Sequence, residues 1–201
     1  MKTRSLGYEI FMIALVLVVI AGIAGALLGL VNHFTKVDAE ELVARKASAV
    51  YAGELKSFPL QEGIGSEIRS EGGRVFGVYV PKDPSVKDVY VLCAEGEGAY
   101  KGTLKLLVNI TGGKITKIAT YEANETPGLG SKALQENYFK QYYGAEIKPD
   151  FPGFVLVKSA PAGGGEVKAV SGASKSSTAV TNAVNAAAEW YKAVVLKGGA
   201  Q

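Results

Sequence analysis

The stretch GAYKGTLKLLVNITGGKITKIATYEA, Gly98 to Ala123, decides the architecture. Two runs rich in Leu, Val, Ile and Thr flank Thr111-Gly112-Gly113, a tight-turn signal. The first run alternates through Leu104, Leu106, Val108 and Ile110. The second does so through Ile115, Ala119 and Tyr121, with Lys117 in between. Period two on both sides of a glycine turn predicts an antiparallel hairpin, strands 103–110 and 114–122. Upstream, VFGVYV (75–80) and VYVLCA (89–94) read as two more strands, separated by the turn Pro81-Lys82-Asp83-Pro84. Gly and Ser break up 61–74 before them. Downstream, SKALQENYFKQYY (131–143) reads as a short helix ended by Gly144, and Phe154 to Lys158 as a strand. Ala160 to Gly165 reads as loop. From Ser176 to Lys197 apolar residues recur near Val180, Val184, Ala187, Tyr191, Val194 and Val195, which predicts a helix closed by Gly198-Gly199. The expected fold is α+β: an antiparallel sheet with flanking helices.

The front of the chain obeys a different solvent. Ile10 to Val31 holds no charged residue. As a helix it would span about 33 Å, enough for a hydrocarbon core of about 30 Å. It is longer than the apolar region of a cleaved signal peptide, and Asn32-His33-Phe34 does not resemble a cleavage site. Lys2 and Arg4 precede the span, while Lys36 is followed by Asp38, Glu40 and Glu41. The amino terminus is therefore expected in the cytoplasm, and the bulk of the chain on the extracytoplasmic side. Residues 1–35 form the tail and a single membrane helix, and 36–201 one outer domain. Ala21, Gly25 and Gly29, four apart, suggest a face where another membrane helix packs. VDAEELVARKASAVYAGEL (37–55) reads as a helix after the anchor.

Composition excludes several function classes. The net charge of +3 is small and spread out, so nucleic acid is not an expected partner. Cys93 is the single cysteine and lies in a strand-like run; neither an internal disulfide nor a multi-cysteine metal site is available. The single histidine, His33, falls at the membrane edge, so no histidine triad or histidine zinc site belongs to the outer domain. No metal site and no catalytic residue acting on substrate is expected.

Two loops carry chemistry. SGASKSS, Ser171 to Ser177, is a glycine turn before a helix start. It fits plain serine capping. It also fits an anion site, because unpaired backbone N–H groups, Lys175 and the hydroxyls of Ser171, Ser176 and Ser177 converge there. NETPGLGS, Asn124 to Ser131, is a strand-to-helix turn. Its Glu125, Thr126 and Leu129 beside Gly128 could equally grip a flat, partly polar ring.

The pair, in this order, behind one membrane helix and with Gly98-Ala99-Tyr100-Lys101-Gly102 between, resembles the G component of the Rnf-type ion-translocating ferredoxin oxidoreductases. The C component of the sodium-pumping NADH:quinone reductase carries a similar pair. The length of 201 residues, ending soon after the last helix, favours the first. The resemblance implies FMN bound through its phosphate to the hydroxyl of Ser174, attached by a separate flavin transferase that uses FAD. Ser171, Gly172, Ala173, Lys175 and Ser176 would surround that linkage; Glu125, Thr126, Gly128 and Leu129 would lie near the isoalloxazine. It further implies an electron-transfer subunit among other membrane subunits of a translocase, in the inner membrane, with no independent catalysis. Two residues depart from the family pattern: Ser174 stands where threonine is usual, and Lys168 where aspartate is usual. Serine can form the same ester; Lys168 removes an acid connected with transferase recognition. The competing expectations are a reductase of a small extracellular acceptor, the C component of a quinone reductase, and a flavin-less structural anchor.

Overall fold

The computed structural model describes residues 6–35, 43, 45–48, 50–58 and 69–198. The chain divides into two compact units, 1–39 and 40–201. In the first, helix α1 runs from Leu6 to Thr35. It is long and apolar enough to cross a membrane, and its described side chains are exposed along its length. On the face of Ala21, Gly25 and Gly29, a Cβ added at Gly25 or Gly29 would meet nothing within 4 Å. The flanking charges Lys2, Arg4, Lys36, Asp38, Glu40 and Glu41 lie outside the described residues.

The second unit is built on a six-stranded antiparallel sheet. Its strands are β1 (Leu55–Ser57), β2 (Arg69–Ser70), β3 (Gly73–Pro81), β4 (Val89–Ala99), β5 (Gly102–Thr111) and β6 (Lys114–Glu122). The order is β1-β3-β4-β5-β6, with β2 pairing on β3. The expected hairpin is β5–β6, but its alternation slips. Register shifts at Lys105/Leu106 and at Asn109/Ile110 put Ile115 opposite Ile110 and Ile118 opposite Val108. Ile115 and Ile118 thus join one core, while Ala119 and Tyr121 pack on the other face with Leu107. A bulge inserts one residue into one strand and shifts the side-chain phase beyond it, which simple period-two counting does not anticipate.

Helix α3 (Ser174–Tyr191) covers one face of the sheet, and the segment carrying Val43, Ala47 and Val50 covers part of the other. Val89 to Gly96 of β4 are consequently all buried. The helix lies close because two cross-strand partners are glycines. Gly73 pairs with Gly96, and a Cβ on either would strike the helix backbone, at the Asn182 and Ala179 carbonyls respectively. Asn182 Nδ2 donates to the Glu97 carbonyl at 3.0 Å, and the Tyr191 hydroxyl donates to Asp88 Oδ1 at 2.7 Å.

Several sequence expectations shift. The helix over 131–143 is broken into a 3-10 turn (Gly130–Leu134) and the single turn α2 (Glu136–Phe139). β7 (Val155–Val157) is parallel to β8 (Glu166–Lys168), a strand the sequence did not suggest. The final helix starts two residues earlier than its apolar periodicity suggested and finishes as a π-turn over Lys192–Leu196. The helix expected over 37–55 is described only at Val43 and 45–47, and Leu55 is already strand; most of 61–74 and Gly199 lie outside the described residues.

Candidate functional site

The two loops singled out in the sequence converge. The loop after β6 folds on itself: Leu129 N–H and Ser131 N–H both donate to the Thr126 carbonyl, at 3.2 and 3.3 Å. Gly128 N–H donates to Ser131 Oγ at 2.9 Å. Gly128 has φ 78°, a left-handed conformation that favours glycine. With its backbone tied down, the loop holds the Leu129 side chain 53% exposed.

The first turn of α3 approaches from the other side. Gly172 has φ 77° and turns the chain into the helix. Serine does not cap it in the expected manner. The N-cap is Ala173, without a side-chain cap hydrogen bond. Instead, buried Ser177 reaches back, its Oγ accepting from Val170 N–H at 3.0 Å. Ser177 N–H closes onto the Ala173 carbonyl at 2.9 Å, so the N–H groups of Ser174, Lys175 and Ser176 belong to the first turn that a helix leaves unpaired. The Ser174 side chain is exposed, and among the described residues its hydroxyl has no hydrogen-bond partner.

One hydrogen bond joins loop to helix: Ser176 Oγ donates to Glu125 Oε2 at 2.8 Å. It fits only because residue 130 is glycine; a Cβ there would run into the Glu125 carboxylate and come within 2.6 Å of Ser176 Oγ. Between loop and helix lies a cavity of about 540 Å³ lined by Tyr100, Glu125, Thr126, Leu129, Gly130 and the run Gly172 to Ser176. That volume falls within the range of about 300–1,000 Å³ usual for cofactor sites. Of the candidate residues, Glu125, Thr126, Leu129, Gly172, Ala173, Ser174, Lys175 and Ser176 line it. Ser171 and Gly128 do not; they lie in the turns that shape it. Lys168 is not among the lining residues either. It sits on β8, where its N–H donates to Gln141 Oε1 at 2.9 Å.

Two lining residues escaped the sequence reading. Gly130 belongs to the quoted loop, but its close approach to two side chains is a tertiary fact. Tyr100 lies at the β4–β5 turn, 72% exposed, with Lys175 Nζ 5.5 Å from its ring centre, within cation–π reach. The available signal was a tyrosine two residues from glycine on either side, at the tip of a hairpin.

The donor set suits a flavin phosphate ester: an exposed, unengaged hydroxyl, a helix N-terminus and a lysine for the anionic end, and two exposed apolar side chains for a ring. Cys93 offers no alternative chemistry. It is fully buried, and burial pushes its thiol up to about 12.

Comparison with known proteins gives the family. Residues 99–189 match the FMN-binding domain family. The chain is 31% identical over 194 residues to the G component of the Na(+)-translocating ferredoxin:NAD(+) oxidoreductase complex of Acetobacterium woodii, covering 91% of this chain and 92% of that one. It is 29% identical over 188 residues to the G component of the ion-translocating oxidoreductase complex of Methanosarcina acetivorans, covering 92% and 96%. The crystal structure of Shewanella oneidensis NqrC superposes with a TM-score of 0.50 at 20% identity, over 83% of this chain and 79% of that one, which places the fold. On these matches the chain belongs to the family of G components of ion-translocating ferredoxin:NAD oxidoreductase complexes.

Proposed function

We propose that this chain is a membrane-anchored electron-transfer subunit of an Rnf-type complex, carrying FMN esterified through its phosphate to Ser174 Oγ. The observation that carries the reading is the meeting of two loops about fifty residues apart in sequence around one cavity, fastened by the Glu125–Ser176 hydrogen bond. Bound FMN would supply one- and two-electron redox chemistry; the chain supplies attachment, orientation and electrostatic tuning.

The residues divide that work. Ser174 Oγ is the acceptor of the phosphoryl group: in the hands of a flavin transferase its oxygen would bond to phosphorus, AMP would leave from FAD, and the hydroxyl proton would be released. The first-turn N–H groups and Lys175 would balance the remaining negative charge of the ester. Leu129 and Tyr100 would cover the ring faces, and Glu125, held by Ser176, would keep the Thr126–Gly130 loop in place. Lys168, away from the cavity lining, bears on the transferase encounter rather than on the site itself. α1 anchors the subunit as a single pass with the amino terminus in the cytoplasm and the domain outside, beside other membrane subunits of the complex. The outer domain is taken to begin near residue 36.

Intact-mass measurement tests the linkage. The wild type made in cells with the transferase is expected to carry the FMN increment after denaturation, located on Ser174 by fragmentation. Ser174→Thr should retain it and Ser174→Ala lose it completely while still folding. An increment on Ser171, Ser176 or Ser177 would move the attachment site, and none at all would favour a flavin-less structural subunit.

A further inference from the structure

Ser177 lies outside the cavity lining and has no part in the roles given above. It is fully buried. Its Oγ accepts from Val170 N–H at 3.0 Å, seven residues back and outside the helix. Its own N–H donates to the Ala173 carbonyl at 2.9 Å. Between those two contacts lies the turn Val170-Ser171-Gly172-Ala173, closed by Ala173 N–H donating to the Val170 carbonyl at 2.9 Å. Gly172, third in that turn, has φ 77°, a conformation made for glycine. One residue therefore holds the start of the turn with its side chain and the end with its backbone. Ser174, exposed, is the next residue along.

A serine that served the helix alone would stand at the N-cap and accept from the first-turn N–H groups. Ala173 stands there instead. Ser177 Oγ takes an N–H from the turn, which adds nothing to the helix's own hydrogen bonds and leaves its first-turn donors open. Resting on the flavin reading above, we propose that Ser177 is a positioning residue. Its buried hydroxyl fixes the Val170–Ala173 turn, and through it the direction in which Ser174 Oγ holds the flavin phosphate in the cavity. An ester tether has several rotatable bonds, so the backbone it hangs from must be fixed if the ring is to keep one place.

The test compares two buried hydroxyls on α3 in the full chain in neutral detergent. Ser177→Ala removes the acceptor and leaves a good helix former in its place. The control is Thr181→Val, one turn further along. The Thr181 hydroxyl donates to the Ser177 carbonyl at 2.9 Å and pairs with the Tyr142 hydroxyl at 2.8 Å, away from the turn. Both variants should lower Tm by about 3 °C, as losing one hydrogen bond does in a domain of this size. In Ser177→Ala the flavin should stay attached by intact mass, yet lose most of its visible circular dichroism and become more open to quenching by iodide. In Thr181→Val both signals should match the wild type. A second readout needs no flavin. In a Ser174→Ala background, amide exchange of Val170 and Ala173 should speed up about tenfold on adding Ser177→Ala, and hold on adding Thr181→Val. Unchanged flavin signals in Ser177→Ala, or equal changes in both variants, would overturn the proposal and leave Ser177 a structural residue. Unchanged exchange at the turn would overturn it as well. A wild type without flavin would refute the flavin reading and the ester's orientation with it, while the exchange result would still decide whether Ser177 fixes the turn.

Discussion

The middle of α3 and its first turn meet the rest of the domain in opposite ways. In the middle, Gly73 and Gly96 bring sheet and helix backbones into contact, and Ala179, Ala183, Ala186 and Ala187 are fully buried. At the first turn, Gly172 with φ 77° bends the chain instead, and Ser174, Lys175, Tyr100 and Leu129 are left exposed around a cavity. The same residue type serves fixity in one place and access in the other. Stability and function are therefore held by different parts of one helix, and substitutions should separate them.

The largest effect is expected at the closed end. Gly96→Val drives a side chain into the Ala179 carbonyl and should cost about 3 kcal/mol or abolish folding, read by urea denaturation. Unchanged stability there would break the contrast. Next, Glu125→Ala leaves the buried Ser176 hydroxyl without its acceptor and should cost about 1.5 kcal/mol, together with a shifted flavin potential because the ring-side loop is freed. Leu129→Asp, at an exposed position, should change stability by under about 0.5 kcal/mol. It should nevertheless shift the flavin potential or slow electron transfer with the flavin still attached; no change in either would remove Leu129 from the site.

The smallest effect is expected in acid. Burial pushes the Glu95 carboxyl up, but hydrogen bonds from Arg74 and Thr103 and the charges of Arg74 and Lys105 outweigh it, so the group sits below its ordinary 4.5. A lowered folded value contributes stability that is fully present above about 4.5 and is lost as pH falls through the folded value. Arg74→Ala should therefore weaken the wild-type domain's advantage at pH 7 and flatten the decline of its Tm below pH 4.5. An identical pH profile would show that this pair does not shape acid stability.

Much of the fold was legible because local chemistry and tertiary demand agree. The Gly112-Gly113 turn, with φ of 58° and 72°, can only be made cheaply by glycine, and it marks the β5–β6 hairpin in sequence as plainly as in structure. The bulges were not legible: the extra residue at 116 lets both Ile115 and Ile118 enter one core, a tertiary demand that period two does not carry. The helix expected over 131–143 is broken at Gln135, whose extended backbone, φ −90° and ψ 149°, separates the 3-10 turn from α2. At the site, most of the residues that line the cavity could be read from their motifs. Tyr100 could not, since it enters the cavity only once the β4–β5 turn is placed beside α3.

The lateness of α3 has a consequence for how the subunit is made. Its partners were synthesised long before it: Asn182 bonds to a residue 85 positions upstream and Tyr191 to one 103 upstream. Until the last segment has emerged, β3 and β4 have an uncovered apolar face and the wall bearing Ser174 does not exist. A nascent chain is therefore vulnerable throughout translation, and any modifying enzyme that reads the assembled cavity must wait for its completion. Truncation one turn short of Tyr191 would remove its bond to Asp88 and with it the last-made part of the cover over the sheet.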